Sequence, residues 1–205
     1  MDVPINMGLQ AMSPTDFHKD DNPNGLIPCR PVALVTIKTS GDMCALDAAT
    51  FSIGIRLNCR PLQLKQIRQE LHPNNKQLDI SDVQRLIQLQ KEPYCFVRCK
   101  PKGHGGSMSM SDIFDIKRGT LVVQVQYFEK GSNLSKHHFV GFDSERRVVW
   151  DNQHLQVIPY NMGVGAEDPK ALLRFLGYHN VTKVWRAMVL HSAISAGAVK
   201  HMAYH

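Results

Sequence analysis

The strongest constraint in this sequence is a change of hydrophobic period at Pro93. Before it, apolar residues recur at helical spacing; after it, they alternate or cluster as strands do. Three helices are expected in the first half. Ala45 to Ile55 follows Ser40-Gly41-Asp42-Met43-Cys44, turn residues that suit a helix start, with Asp42 as the expected N-cap. Its apolar or small residues lie on nearly all sides, the pattern of a helix buried at a domain centre. Leu62 to Leu71 has Pro61 in its first turn and keeps Leu64, Ile67 and Leu71 at helical spacing. Ser81 to about Gln90 turns Val83, Leu86, Ile87 and Gln90 inward, with Ser81 or Asp82 as cap and Pro93 as stop.

Strands are expected at Tyr94–Arg98, Thr120–Phe128, His138–Phe142, Val148–Trp150, Leu155–Ile158 and Val181–Leu190. Pro101 to Met110 reads as an exposed loop and Ser111 to Lys117 as one or two helical turns. Asp168-Pro169 opens a short helix that closes near Gly177. Helices first and antiparallel strands afterwards imply an α+β fold, an N-terminal helical lobe packed on a C-terminal antiparallel sheet. Residues 1–31, with turn residues Asp20-Asp21-Asn22-Pro23-Asn24-Gly25, read as an irregular arm. Val32 to Lys38 suits a short strand or an extended lead-in. Residues 32–191 form the expected single domain, and 192–205 a weakly structured tail.

Hydrophobic residues make up 43% of the 205 residues and charged ones 20%, enough to bury a core, which excludes disorder as the main state. No apolar run approaches the roughly 18–20 residues of a membrane span. The start, Met1-Asp2-Val3-Pro4-Ile5-Asn6, lacks the basic-then-apolar order of a secretory leader. Five cysteines are too few, and odd in number, for a disulfide-stapled domain. They imply free thiols in a reducing, intracellular and cytoplasmic setting. A net charge of +6 permits weak contact with nucleic acid through a basic surface, but the basic residues are scattered as on a solvated face.

Two distant places carry chemistry. Cys44 sits at the mouth of the buried helix, where the helix dipole and unpaired N–H groups favour thiolate over thiol. The same N–H groups can stabilise an oxyanion formed when the sulfur attacks a carbonyl. The second place is the hairpin from Lys136 to Asn152. A symmetric loop through Asp143-Ser144-Glu145-Arg146 sets Phe142 opposite Arg147, Val140 opposite Val149 and His138 opposite Asp151. His137 and Asn152 then share the other face. An imidazole held by a carboxylate is what a general base needs, and with a helix-mouth cysteine it makes a triad.

The order of Cys44 on a helix, His138-Phe139-Val140 at a strand start and Trp150-Asp151-Asn152 at the next strand end resembles the papain-like cysteine peptidase superfamily. Its compact bacteriocin-processing members are the most similar. Ser40-Gly41-Asp42-Met43-Cys44-Ala45-Leu46 is more loosely similar to the Asp-Gly-x-Cys-Leu stretch of ovarian-tumour-type deubiquitinases. The resemblance covers about residues 40–55 and 136–158. It departs at Lys38, where papain has Gln, and at Gly41, where the deubiquitinases have Asp.

The resemblance implies a papain-like fold and thiol-dependent hydrolysis of a peptide or isopeptide bond in a protein or peptide substrate. Cys44 would be nucleophile, His138 general base and Asp151 orienter, with Asn152 as fallback. The oxyanion would meet the Cys44 N–H and a donor from the Thr39–Asp42 turn, with Ser40 and Asp42 in support. No metal or organic cofactor is needed. A catalytically inactive relative that binds protein or nucleic acid, and an acyltransferase using the same triad, stay open. Cys59, just before Pro61, ranks second as nucleophile. Cys95 and Cys99, and His137, His154, His179 and His191, read as ordinary residues. Gly103-His104-Gly105-Gly106 lacks the setting of a phosphate loop.

Overall fold

The computed structural model describes residues 25–39, 43–71, 77–101, 108–129, 134–160 and 169–202. Among these are six helices and one seven-stranded antiparallel sheet, an α+β arrangement. The first half holds β1 (Leu26–Pro28), α1 (Cys44–Ile53), α2 (Pro61–Leu71), α3 (Ile80–Leu89) and β2 (Tyr94–Arg98). Then come α4 (Met110–Asp115), β3 (Thr120–Phe128), β4 (Ser135–Asp143), β5 (Val148–Asp151) and β6 (Gln156–Pro159). The chain continues with α5 (Pro169–Phe175), β7 (Asn180–Leu190) and α6 (His191–Ser195). The strand order is β1-β7-β3-β4-β5-β6, with β2 also pairing to β7. Among the described residues, no helix is long and apolar enough to cross a membrane.

All ten residues of α1 are buried, as its all-round apolar pattern requires. Gly54 ends it in the left-handed region at φ 69°, its N–H returning to the Thr50 carbonyl. The cap of α3 is Asp79, neither Ser81 nor Asp82. Asp79 accepts from the Ile80 N–H at 2.6 Å, and the Asp82 carboxylate accepts from the Asp79 N–H at 2.8 Å. This reciprocal box starts the helix one residue early. Gln84 replaces Gln90 on its inner face. The Gln84 side-chain oxygen takes the Phe96 N–H at 2.7 Å, so a buried amide satisfies an edge strand.

Side-chain alternation along the strands divides the core in two. Phe96, Val122, Phe139, Ala187 and Val189 face α1, α2 and α3. Leu121, Val123, Val125, Val140 and Phe142 face α4 and α5. The close approach of α1 to β4 rests on Gly141, where an added Cβ would fall 2.5 Å from Phe51 Cδ1 and 3.2 Å from the Ala48 carbonyl oxygen. Position 141 is therefore a contact surface for the helix.

The β4–β5 register differs from expectation by two residues: Phe142 pairs with Val149 and Gly141 with Trp150. The Asp143 carboxylate accepts from the Glu145 and Arg146 N–H groups at 3.0 and 2.9 Å, so β4 runs on to Asp143 before the chain turns. Arg147 then reverses the chain at φ 53°. A slip of two preserves which face each side chain occupies, whereas a slip of one would reverse it. His138 and Asp151 thus become diagonal rather than direct neighbours on a shared face.

Both ends of the described chain are tied in more than the sequence suggests. Within the expected irregular arm, Leu26–Pro28 pairs with β7; three residues are too short for a pattern to reveal. The extended lead-in at Val32–Lys38 forms no strand. In the expected weak tail, α6 follows β7 directly, and Met202 N–H returns to the Arg30 carbonyl at 2.9 Å. Arg30 in turn grips Glu145 with two guanidinium bonds of 2.5 and 2.6 Å. Replacing Gly141 with Ala should push α1 off β4 and cost about 1–3 kcal/mol. The urea unfolding midpoint measures this, and an unchanged midpoint would show that the contact yields freely.

Candidate functional site

Cys44 is the first residue of α1. Met43, at φ −106° and ψ 13°, is the N-cap and provides no side-chain cap bond. The helix thus opens at the cysteine itself, with no side-chain bond from its N-cap residue. Asp42, the expected cap, and Ser40 lie outside the described residues. What the structure does place is Thr39, whose N–H and hydroxyl donate to the two Asp47 carboxylate oxygens at 3.1 and 2.9 Å. Asp47 lies in the first turn of α1, where the helix dipole favours a negative charge. It therefore anchors Thr39.

His138 lies on β4, on the face that carries Val140 and Phe142. β5 pairs with β4 only from Gly141 to Asp143, so the edge beside His138 carries no paired β5 residue. The first turn of α1 comes to that edge, and the Cys44 thiol is near enough to the imidazole to help raise its pKa. Its Nε2 meets Asp151 Oδ1 at 3.0 Å. Cys44 is 1% exposed and His138 4%. Sulfur, ring and carboxylate are joined in one buried row.

Asp151 ends β5 and is the most heavily bonded carboxylate of the site. Besides the His138 bond, Oδ1 accepts from the Gln153 N–H at 2.9 Å. Oδ2 accepts from the Tyr178 hydroxyl at 2.6 Å and meets His154 Nδ1 at 2.9 Å. Tyr178 also stacks on His138, with centroids 5.6 Å apart and planes at 21°. Sequence reasoning gave Tyr178 no role and read His154 as ordinary. The signal was Gly177, which closes α5 at φ 79°. Gly177 N–H returns to the Arg174 carbonyl at 3.0 Å and Tyr178 N–H to the Leu173 carbonyl at 2.8 Å. This paired cap fixes the tyrosine backbone immediately after the helix.

Asn152 does not orient the imidazole. Its amide donates to Asp47 Oδ2 at 2.6 Å, because it points to the opposite face of β5 from Asp151. It therefore links the Asp151 turn to the α1 start. Cys59 does lie at the mouth of α2, beside the Leu64 N–H, but burial pushes its thiol up to about 11. Cys95 packs with Leu26, Val97 and Met188, while Cys99 packs in the α4–α5 core. All five cysteines are free, and among the described residues no group of three or more His, Cys, Asp or Glu is arranged to hold a metal. The loop at 103–106 lies outside the described residues.

Burial alone would lower the His138 pKa, but its hydrogen bonds to Asp151 and Cys44 outweigh this and raise it to about 9. Burial likewise opposes the Asp151 charge, yet the His138 and Tyr178 bonds hold its carboxyl below the usual range. The raised His138 stabilises the folded state fully below about 6.5, and that contribution is lost as pH rises to about 9. The lowered Asp151 acts at the other end, losing its contribution as the medium turns acid. The urea midpoint should therefore fall between pH 6.5 and about 9. Asp151→Asn should flatten this slope; an equal slope in that variant would dissociate the pair. The chain matches no family model. It also matches no curated protein.

Proposed function

We propose that the chain is a papain-like cysteine peptidase acting on a peptide or isopeptide bond. One observation carries the reading: an imidazole bonded to a carboxylate, with its pKa raised in part by a neighbouring thiol at the first residue of a buried helix. The helical first half packed against a later antiparallel sheet supports the same fold family.

In this reading, Cys44 sulfur attacks the substrate carbonyl carbon while His138 carries the proton. The C–S bond forms and the carbonyl oxygen becomes an oxyanion beside the Cys44 N–H. The oxyanion collapses, the C–N bond breaks, and the departing amine takes the proton from His138. Water then loses a proton to His138 and attacks the thioester. The C–S bond breaks, sulfur recovers the proton and the carboxylic acid leaves. Asp151 holds the ring and stabilises its charged form throughout. Asp47 holds Thr39 at the start of the segment before Cys44 in the sequence.

The burial of Cys44 favours a second reading, in which the domain is catalytically silent and binds a protein or nucleic acid through its basic surface. Incubation with peptide and ubiquitin-amide substrates separates the two. The peptidase reading expects release of the amine, complete loss in Cys44→Ala, and a drop on the order of 10²- to 10⁴-fold in kcat for Asp151→Asn. kcat/KM should fall above about 9 as His138 loses its proton, and Asp151→Asn should move that limb to lower pH. Turnover that survives Cys44→Ala would exclude the reading. Added amine acceptors would reveal acyl transfer instead.

A further inference from the structure

Tyr178 takes part in no step above, yet its side chain touches both partners of the imidazole–carboxylate pair. Its hydroxyl donates to Asp151 Oδ2 at 2.6 Å and its ring stacks on His138 at 5.6 Å. It is 3% exposed, and Tyr127 of β3 closes its far side edge-on at 6.1 Å. Burial and the neighbouring Asp151 charge keep the phenol protonated well beyond the ordinary tyrosine range, so it acts only as a donor to that carboxylate. The left-handed turn at Gly177 sets its backbone at the end of α5.

We propose that Tyr178 is a positioning residue of the same site: its ring fixes the plane of His138, and its hydroxyl shares the Asp151 charge. The proposal rests on the cysteine peptidase reading. Among the described residues, the groups that face His138 are Cys44 from α1, Asp151 from β5 and Tyr178, with His154 and Tyr127 around the last two. The two functions of the tyrosine are separable. A carboxylate that gives part of its charge to a second donor binds its first donor less strongly. Removing only the hydroxyl leaves Asp151 held by Gln153 and His154, so its position persists while its pull on the imidazolium grows. Removing the ring as well lets the imidazole turn away from sulfur.

The test needs no substrate. Iodoacetate is anionic and iodoacetamide neutral, so the ratio of their alkylation rates at Cys44 reports an imidazolium beside the sulfur. In the unmodified chain this ratio should decline as pH passes about 9. Tyr178→Phe should move that decline upward by about half a pH unit or more, opposite to Asp151→Asn, with the rates at pH 7 kept within about twofold. Tyr178→Leu should lower both alkylation rates several-fold. Gly177→Ala, which strains the turn without filling space, is the second variant and should move the decline upward too. An unmoved decline in Tyr178→Phe would overturn the charge-sharing function, and unchanged rates in Tyr178→Leu the ring function. If the unmodified chain shows no iodoacetate preference at Cys44, the cysteine–histidine pairing itself fails, a result distinct from either.

Discussion

Phe51 can lie against Gly141 because position 141 has no side chain, and this contact sets how near α1 comes to β4. The consequence reaches the chemistry. Cys44 begins that helix and His138 lies three residues before that glycine on the same strand. The distance between thiol and imidazole is therefore fixed by apolar packing two turns down the helix, well away from either polar group. Cores pack too densely to absorb a displaced ring, so a methyl at position 141 would be felt at the sulfur. The helix is held from the polar side as well, by Thr39 and Asn152 on Asp47.

The site concentrates buried charge, which is costly unless every lone pair is used. Asp151 meets this condition with donors from His138, Gln153, His154 and Tyr178. Asp47 meets it with the N–H and hydroxyl of Thr39 and the amide of Asn152. The two carboxylates divide the labour. Asp151 holds the imidazole, while Asp47 holds Thr39 and Asn152. Adjacent residues Asp151 and Asn152, on opposite faces of β5, thus reach both networks at once.

The long, strongly periodic elements were legible in the sequence. Thr120–Phe128 is the third strand of the sheet with the same ends, and the buried helix, α2 and β7 fall within two residues of expectation. So was the pairing of His138 with Asp151, although for an incomplete reason: the predicted register was two residues off, and only the parity of the slip preserved the shared face. Other features were not legible. Gly177 marks where α5 ends in the sequence, but where the Tyr178 hydroxyl then falls in space depends on how α5 packs, which no local pattern encodes. Asn152 was read as a spare orienter because strand parity assigns a face but does not name the partner waiting there. The tie between Arg30 and Glu145 joins residues 115 positions apart, beyond any local signal.

The account turns on whether three side chains behave as one chemical unit, and the five thiols allow a direct measurement. On exposure alone Cys59, the only cysteine that is not buried, should react first with a limiting dose of iodoacetamide at neutral pH. If His138 activates its neighbour, buried Cys44 should react first instead, and His138→Ala should return the advantage to Cys59. Mass-spectrometric mapping of the first alkylated cysteine reads the result. Prior labelling of Cys59 in the unmodified chain would contradict the account.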